Sequence, residues 1–177
     1  MKLYALLIIG LFTACMRAKN VVNASKTTPL YTVSGKVQQQ FPYCGGARPT
    51  REMLIKATNP VAFPNKTFYL RNGNTNTENG TIAKSFTTNK EGLFCVKLSP
   101  GTYSIILEEQ LKAIHPEDYR SENQKVNEQC LIEWWKKPYY LLEVKDQNII
   151  SLNFTFIHRC FLTTDIPCIT YTGPLPH

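Results

Sequence analysis

The sequence has no apolar run long enough to cross a membrane. Its longest run, residues 3–12, would reach only about half of the roughly 30 Å hydrocarbon core at about 1.5 Å per helical residue. Charge is also sparse: 19% of the 177 residues are charged, and the 20 lysines and arginines, against 13 acidic residues, never form a run of five. This pattern is typical of a solvated surface, so we predict neither a multi-span membrane protein nor a nucleic-acid partner.

The motifs of common hydrolases and nucleotide-binding enzymes are absent as well. The chain has three histidines, His115, His158 and His177, and none belongs to a His-x-x-Glu or His-Glu-x-x-His zinc motif. There is no Gly-x-Ser-x-Gly sequence and no glycine-rich phosphate loop. We therefore predict a non-catalytic protein that uses no cofactor.

The apolar run predicts an N-terminal export sequence. It follows Lys2 and leads into Phe-Thr-Ala-Cys at residues 12–15, which resembles the bacterial lipobox. The resemblance implies that residues 1–14 are a lipoprotein signal peptide and that Cys15 carries the lipid. Residues 15–29 are polar and would form a tether, so the protein would be anchored to a membrane of the bacterial envelope, facing the periplasm or the cell surface. Signal cleavage nearby, with Cys15 unmodified, is the alternative.

Alternating apolar and polar residues predict a mainly β protein. Turns at residues 89–92 and 99–101 predict two successive hairpins, with Gly92 supplying a positive φ. Ile150 is expected to point inward with the other large apolar residues of the last strand, whereas residues 71–81 read as an exposed loop. The predicted strands are 31–37, 66–70, 81–88, 93–98, 102–107, 139–144 and 150–158.

Two short helices interrupt the strand pattern, at residues 49–57 and 128–137. The second carries adjacent tryptophans on an apolar face and is followed by two tyrosines. At least one tryptophan is expected to close the end of a sandwich. An exposed aromatic patch would instead be a contact surface, and its members are Trp134, Trp135, Tyr139 and Tyr140.

Residues 82–107 resemble the carboxypeptidase regulatory-like domain. The matching features are a strand ending at Thr88, a turn with Gly92, an alternating strand and then Pro-Gly-Thr-Tyr at residues 100–103. Residues 33–37 match the opening strand of that family, and Asn89 stands where the family usually has Asp. The resemblance implies an antiparallel Greek-key β-sandwich of about seven strands, as in prealbumin, over residues 30–177.

Two additions extend this sandwich: a helical insert near residues 126–137 and a cysteine-rich tail at 158–177. Together with the N-terminus, they make the chain similar to small lipoproteins of the Bacteroidetes type. The zinc peptidase chemistry suggested by the family's name is absent from this sequence.

Five cysteines follow Cys15, and an exported protein meets an oxidising environment. Cys95 lies within a strand, on the face opposite its inward residues, and is predicted to be the free thiol. The other four are predicted to form two disulfides, with Cys44 joined to either Cys160 or Cys168, and they are Cys44, Cys130, Cys160 and Cys168.

These features predict a non-catalytic, lipid-anchored binding or accessory module with a protein or glycan partner. The alternative is a periplasmic metal-binding protein for Cu(I) or Zn²⁺. A third hypothesis is a thiol enzyme acting through Cys44 beside Arg48 or His158. The candidate ligands for the metal alternative are Cys44, His158, Cys160 and Cys168.

Overall fold

The computed structural model describes residues 28–45, 47–160 and 165–174. The predicted signal peptide, most of the tether and the lipidation candidate Cys15 lie outside the described residues. Within the described part, no helix has both the length and the apolar character needed to span a bilayer.

The first of the two main sheets is built around one long strand. Strand β1 lies between β5, which is antiparallel to it, and β9, which is parallel to it. The short strand β2 pairs with the far end of β1. The bounds are β1 Tyr31–Gln40, β2 Val61–Ala62, β5 Leu93–Leu98 and β9 Ile149–Ile157.

The second main sheet is fully antiparallel. Its strands lie in the order β4-β3-β6-β8. The bounds are β3 Thr67–Asn72, β4 Ile82–Thr87, β6 Gly101–Ile106 and β8 Tyr140–Val144. Together the two sheets contain seven strands of five residues or more, so the predicted mainly β sandwich of about seven strands is confirmed.

The core lies between the sheets because one face of each strand is apolar. Strand β5 shows this most clearly: Phe94, Val96 and Leu98 are buried, whereas Leu93 and Cys95 on the opposite face are exposed. Phenylalanines from both sheets interlock, including Phe68, Phe86, Phe94, Phe154 and Phe156. Their burial supplies much of the hydrophobic stabilisation of the domain.

The prediction of two successive hairpins is wrong. Strand β5 belongs to the first sheet, whereas its chain neighbours β4 and β6 belong to the second. Both turns are therefore arches that carry the chain from one sheet to the other. Gly92 does adopt the expected positive φ of 76°, and the side chain of Asn89 accepts hydrogen bonds from Glu91 N and Leu93 N. Turn chemistry specifies a reversal, but it does not specify whether the two strands pair side by side or pack face to face.

The β1–β9 pair departs from the expected all-antiparallel arrangement because it is parallel, and its register shifts between Val33 and Gly35. The irregularity turns Ile150 outward, where it is 77% exposed, so the prediction that it faces the core is wrong. A Cβ at Gly35 would lie 1.8 Å from the carbonyl oxygen of Leu152, which explains why glycine occupies this position.

Both predicted helices are present, as α1 Arg51–Thr58 and α2 Glu128–Lys136. Thr50 caps α1 by accepting from Met53 N, and Asn127 caps α2 by accepting from Cys130 N. Short elements that the sequence pattern did not reveal join the main strands. They are β7 Gln124–Val126 paired with β10 Ile169–Tyr171, and 3-10 helices at Glu108–Gln110 and Pro116–Tyr119.

Candidate functional site

The outer face of the second sheet is covered by a third layer of structure. On β6, Ser104 and Ile106 face away from the sandwich core, yet both are completely buried. Ser104 Oγ donates to Gly73 O at 2.8 Å, and Asn76 N donates to Lys136 O at 2.8 Å. The covering layer therefore consists of α2, the 3-10 helix Glu108–Gln110 and the loop that follows β3.

Gln110 joins the parts of this layer and is 1% exposed. Its Nε2 donates to the carbonyl oxygens of Trp134, Trp135 and Lys137 at 3.1, 3.2 and 2.8 Å. Its Oε1 accepts from Leu107 N at 3.1 Å. One amide thus satisfies the Lys137 carbonyl and adds a donor to the carbonyls of Trp134 and Trp135, which also accept from Lys137 N and Asn76 Nδ2.

The sequence predicts that residues 71–81 form an exposed loop, but buried polar groups anchor this segment. Asn76 Nδ2 donates to Gln110 O and Trp135 O, both at 2.9 Å. Arg71 is 3% exposed and donates from Nη2 to Leu111 O at 2.6 Å. Burial lowers the pKa of Arg71 from its ordinary value. Asparagine-rich composition signals a loop, but it does not show which amides face inward.

The predicted exposed aromatic surface is not formed. Trp135 is 5% exposed, and its Nε1 donates to Lys112 O at 2.6 Å. Trp134, Tyr139 and Tyr140 are half-buried and pack against the core. One tryptophan is buried, as expected, but Trp135 lies in the third layer over the outer face of the second sheet and not at the end of the sandwich.

Two of the predicted surface aromatics, Trp134 and Tyr139, line a pocket. The pocket lies between the end of α2, the end of β9 and the C-terminal segment, with a volume of about 290 Å³. Its apolar surface comes from Trp134, Tyr139, Phe156 and Pro167, and the rings of Tyr139 and Phe156 stack with centres 5.1 Å apart. Tyr139 also donates its hydroxyl to Thr155 O at 2.6 Å, and burial raises its pKa.

The pocket also carries three charged side chains, and among the described residues only the acidic one has an ion-pair partner. Lys137, Arg159 and Asp165 line it. Asp165 is already engaged: Oδ1 accepts from Arg159 N at 3.0 Å, and Oδ2 lies 2.8 Å from His158 Nδ1. Within the described part of the chain, neither the Lys137 ammonium nor the Arg159 guanidinium has an ion-pair partner. The free charge at this opening is therefore positive.

His158 fixes the C-terminal segment beside this pocket. Its side chain is 15% exposed and stacks on Phe41 with ring centres 4.2 Å apart. Nε2 lies 3.0 Å from Gln39 Oε1, so the ring lies between β1 and Asp165. The imidazole is thus a structural clamp that links the sandwich to the segment after β9.

Two disulfides hold the same segment. The first, here called the loop bridge, joins Cys44 to Cys160 with 5.1 Å between Cα atoms. The second, the helix bridge, joins Cys130 on α2 to Cys168 with 5.7 Å between Cα atoms. The four cysteines for which disulfides were expected are paired, and Cys44 has taken the first of its two possible partners. Cys95 is free and exposed.

The alternative metal set is not assembled. Cys44 and Cys160 are bonded to each other, and Cys168 is bonded to Cys130 on α2. Both ring nitrogens of His158 already have hydrogen-bond partners. No group of three or more His, Cys, Asp or Glu side chains in the described ranges is placed to hold a metal ion. The thiol-enzyme hypothesis is also wrong for this state, because the sulfur of Cys44 is consumed in the loop bridge.

Sequence reasoning missed the pocket because its walls come from distant segments. Leu107 and Gln110 come from one loop, Lys137 and Pro138 from the end of α2, and Arg159 from the end of β9. The usable signals were Pro138 ending a helix directly before aromatic residues and the two cysteines that flank Asp165. Neither signal specifies which surfaces meet.

No family model matches the chain, and no curated protein matches it. Among solved structures, the chain is similar to the Bacillus anthracis TIE protein, with 16% sequence identity and a TM-score of 0.34. The match covers 72% of this chain and 17% of that protein, so this chain corresponds to a small part of its length.

Proposed function

We propose that the protein is an exported, non-catalytic binding module held on a membrane of the bacterial envelope by a lipid on Cys15. The carboxypeptidase regulatory-like sandwich would serve as its scaffold. The observation that carries this proposal is the pair of disulfides, which use four of the five cysteines after the tether. Structural disulfides persist outside the reducing cytosol, which agrees with an export sequence.

The pocket supports a binding role in preference to catalysis. It has aromatic walls and two free cations, but its carboxylate and its neighbouring imidazole are committed to each other and to the backbone. A general acid or base must reach a substrate, whereas the inward nitrogen of His158 contacts Gln39. Pockets with apolar walls and a few directed polar groups are typical of ligand binding.

The anchor is tested by labelling cells with a palmitate analogue. We expect the wild-type protein and the Cys95→Ala variant to be labelled, and we expect the Cys15→Ala variant to be unlabelled and released from membranes. Cys95 is the matched control because it is the free, exposed thiol of the described residues. Labelling that survives Cys15→Ala, or a mature protein that retains residues 1–14, would refute the anchor.

The oxidised state is tested separately by intact mass of protein purified from membranes with alkylation under non-reducing conditions. We expect Cys95 to be alkylated and the other four cysteines after the tether to be protected until reductant is added. Alkylation of all five without reductant would contradict export into an oxidising compartment.

A further inference from the structure

We infer that the pocket beside α2 binds a small apolar carboxylate, with the chemistry of an aromatic residue bearing a free carboxyl group. This inference rests on the proposed binding function and names its ligand class. The walls of the pocket are aromatic, and two cations without ion-pair partners in the described ranges line it.

The charge of the site selects an anion. Lys137 and Arg159 line the pocket without ion-pair partners in the described ranges, whereas Asp165 is held by His158 and by a backbone amide. A carboxylate entering here would meet two cationic donors against a single carboxylate, Asp165, whose two oxygens already have hydrogen-bond partners. Charge-assisted hydrogen bonds of this kind are stronger than bonds between neutral groups.

Trp134, which lines the pocket, carries a further hydrogen-bond donor. The Nε1 of Trp134 has no hydrogen-bond partner among the described residues, whereas the Nε1 of Trp135 donates to Lys112 O. An indole N–H can only donate, so it favours an acceptor such as a carboxylate oxygen. The adjacent tryptophans therefore have different roles: Trp135 is structural and Trp134 is available.

The walls select an apolar body for the ligand. Trp134, Tyr139 and Phe156 are each half-buried or buried, so they form a firm aromatic surface rather than mobile side chains. A volume of about 290 Å³ lies just below the usual range of ligand pockets, which is about 300–1,000 Å³. The site is therefore suited to a single aromatic group with its carboxylate.

The two disulfides close the site. The wall segment that carries Asp165 and Pro167 lies in the chain between Cys160 of the loop bridge and Cys168 of the helix bridge. The helix bridge ties this segment directly to α2, which supplies Trp134. Reduction would remove this covalent tie and leave only the non-covalent contacts of the wall, so we expect the ligand to bind more weakly to the reduced protein.

The probes are N-acetyl-L-phenylalanine and its neutral amide, titrated into isotope-labelled full-length mature protein. The chain contains two tryptophans, so two indole N–H signals report the two environments. A Trp134→Phe variant assigns them. We expect the carboxylate to shift the Trp134 signal and leave the Trp135 signal in place, and we expect the amide to bind at least about tenfold more weakly.

The neighbouring lysines provide a matched pair of variants. Lys137→Gln should weaken binding of the carboxylate at least about tenfold, and Arg159→Gln should do the same. Lys136→Gln should leave affinity unchanged, because Lys136 lines a separate depression with Thr75 and Glu78. Raising the salt concentration should weaken binding, since the attraction is partly between exposed charges.

Several results would overturn the inference. They are equal shifts with the carboxylate and the amide, equal effects of Lys136→Gln and Lys137→Gln, and no movement of the Trp134 signal at about 10 mM probe, a concentration at which even millimolar affinity is visible. An unmoved Trp135 signal in each variant shows that the fold is intact. These outcomes are independent of acylation and disulfide mass, so the proposed function could stand while the ligand class fails.

Discussion

Removing the amide of Gln110 should destabilise the domain more than any other single polar substitution in the third layer. In Gln110→Ala, three carbonyl oxygens at the end of α2 lose a donor, and Leu107 N loses its acceptor. The lost amide supplies two N–H donors and one acceptor. At about 1 kcal/mol for each buried hydrogen bond, we expect the free energy of unfolding to fall by about 3 kcal/mol.

The assay is equilibrium urea unfolding of the oxidised protein, followed by tryptophan fluorescence and circular dichroism. A loss of this size should lower the melting temperature by about 6–12 °C, since 1 kcal/mol corresponds to about 2–4 °C in a domain of this length. An unchanged slope with denaturant would show that the same surface unfolds.

Two further variants isolate the cause. Gln110→Glu keeps the shape of the side chain but replaces the donor amide by a carboxyl group facing three carbonyls, so it should destabilise at least as much as alanine. Gln129→Ala removes an exposed glutamine that contacts Glu133 and should change stability by less than about 0.5 kcal/mol. A loss below about 1 kcal/mol in Gln110→Ala would refute the assignment of this amide as the link between the layers.

Three other outcomes follow from the structure. Gly35→Ala should prevent the close approach of β1 and β9, so circular dichroism at 25 °C should show most of the protein unfolded, whereas Ser34→Ala should fold normally. A folded Gly35→Ala protein would contradict the β1–β9 register. Removing the loop bridge, which closes 116 residues, should lower the free energy of unfolding by about 5 kcal/mol, and removing the helix bridge, which closes 38, should lower it by about 4 kcal/mol. Urea unfolding of the two double alanine variants measures both losses. A larger loss for the helix bridge would contradict chain entropy as the cause. Burial raises the pKa of Tyr139 above its ordinary value of 10.0, so its contribution to stability is fully present below pH 10 and is lost as pH rises through the pKa of the folded protein. In an ultraviolet titration, Tyr139 should ionise at higher pH than the exposed tyrosines, and this step should be absent in Tyr139→Phe. Ionisation of Tyr139 together with the exposed tyrosines would contradict this.

Some of the candidate site was within reach of sequence reasoning. The cysteines expected to pair do so, and Cys95 is free because strand alternation puts it on the outer face of β5. The aromatic patch was placed correctly in the chain but not in space. Adjacent residues on a helix face different directions, so Trp135 is buried while Trp134 borders the pocket.

The sequence by itself determined the seven long strands, the two capped helices and the use of four cysteines as bridges. These properties follow from local rules: alternation with period two, capping side chains, turn residues and the parity of the cysteines. Local rules did not determine which sheet each strand joins, because the turn at Gly92 serves a hairpin or an arch equally well.

Only the tertiary structure decided the parallel pairing of β1 with β9, the outward turn of Ile150 and the third layer over the second sheet. Each depends on contacts between segments far apart in the chain. Gln110 shows the reason: in the sequence it is one more polar residue, and only the arrival of α2 turns it into a buried amide with four partners. The pocket has the same origin, since its walls meet only when the sandwich, the helix and the disulfide-held tail have packed together.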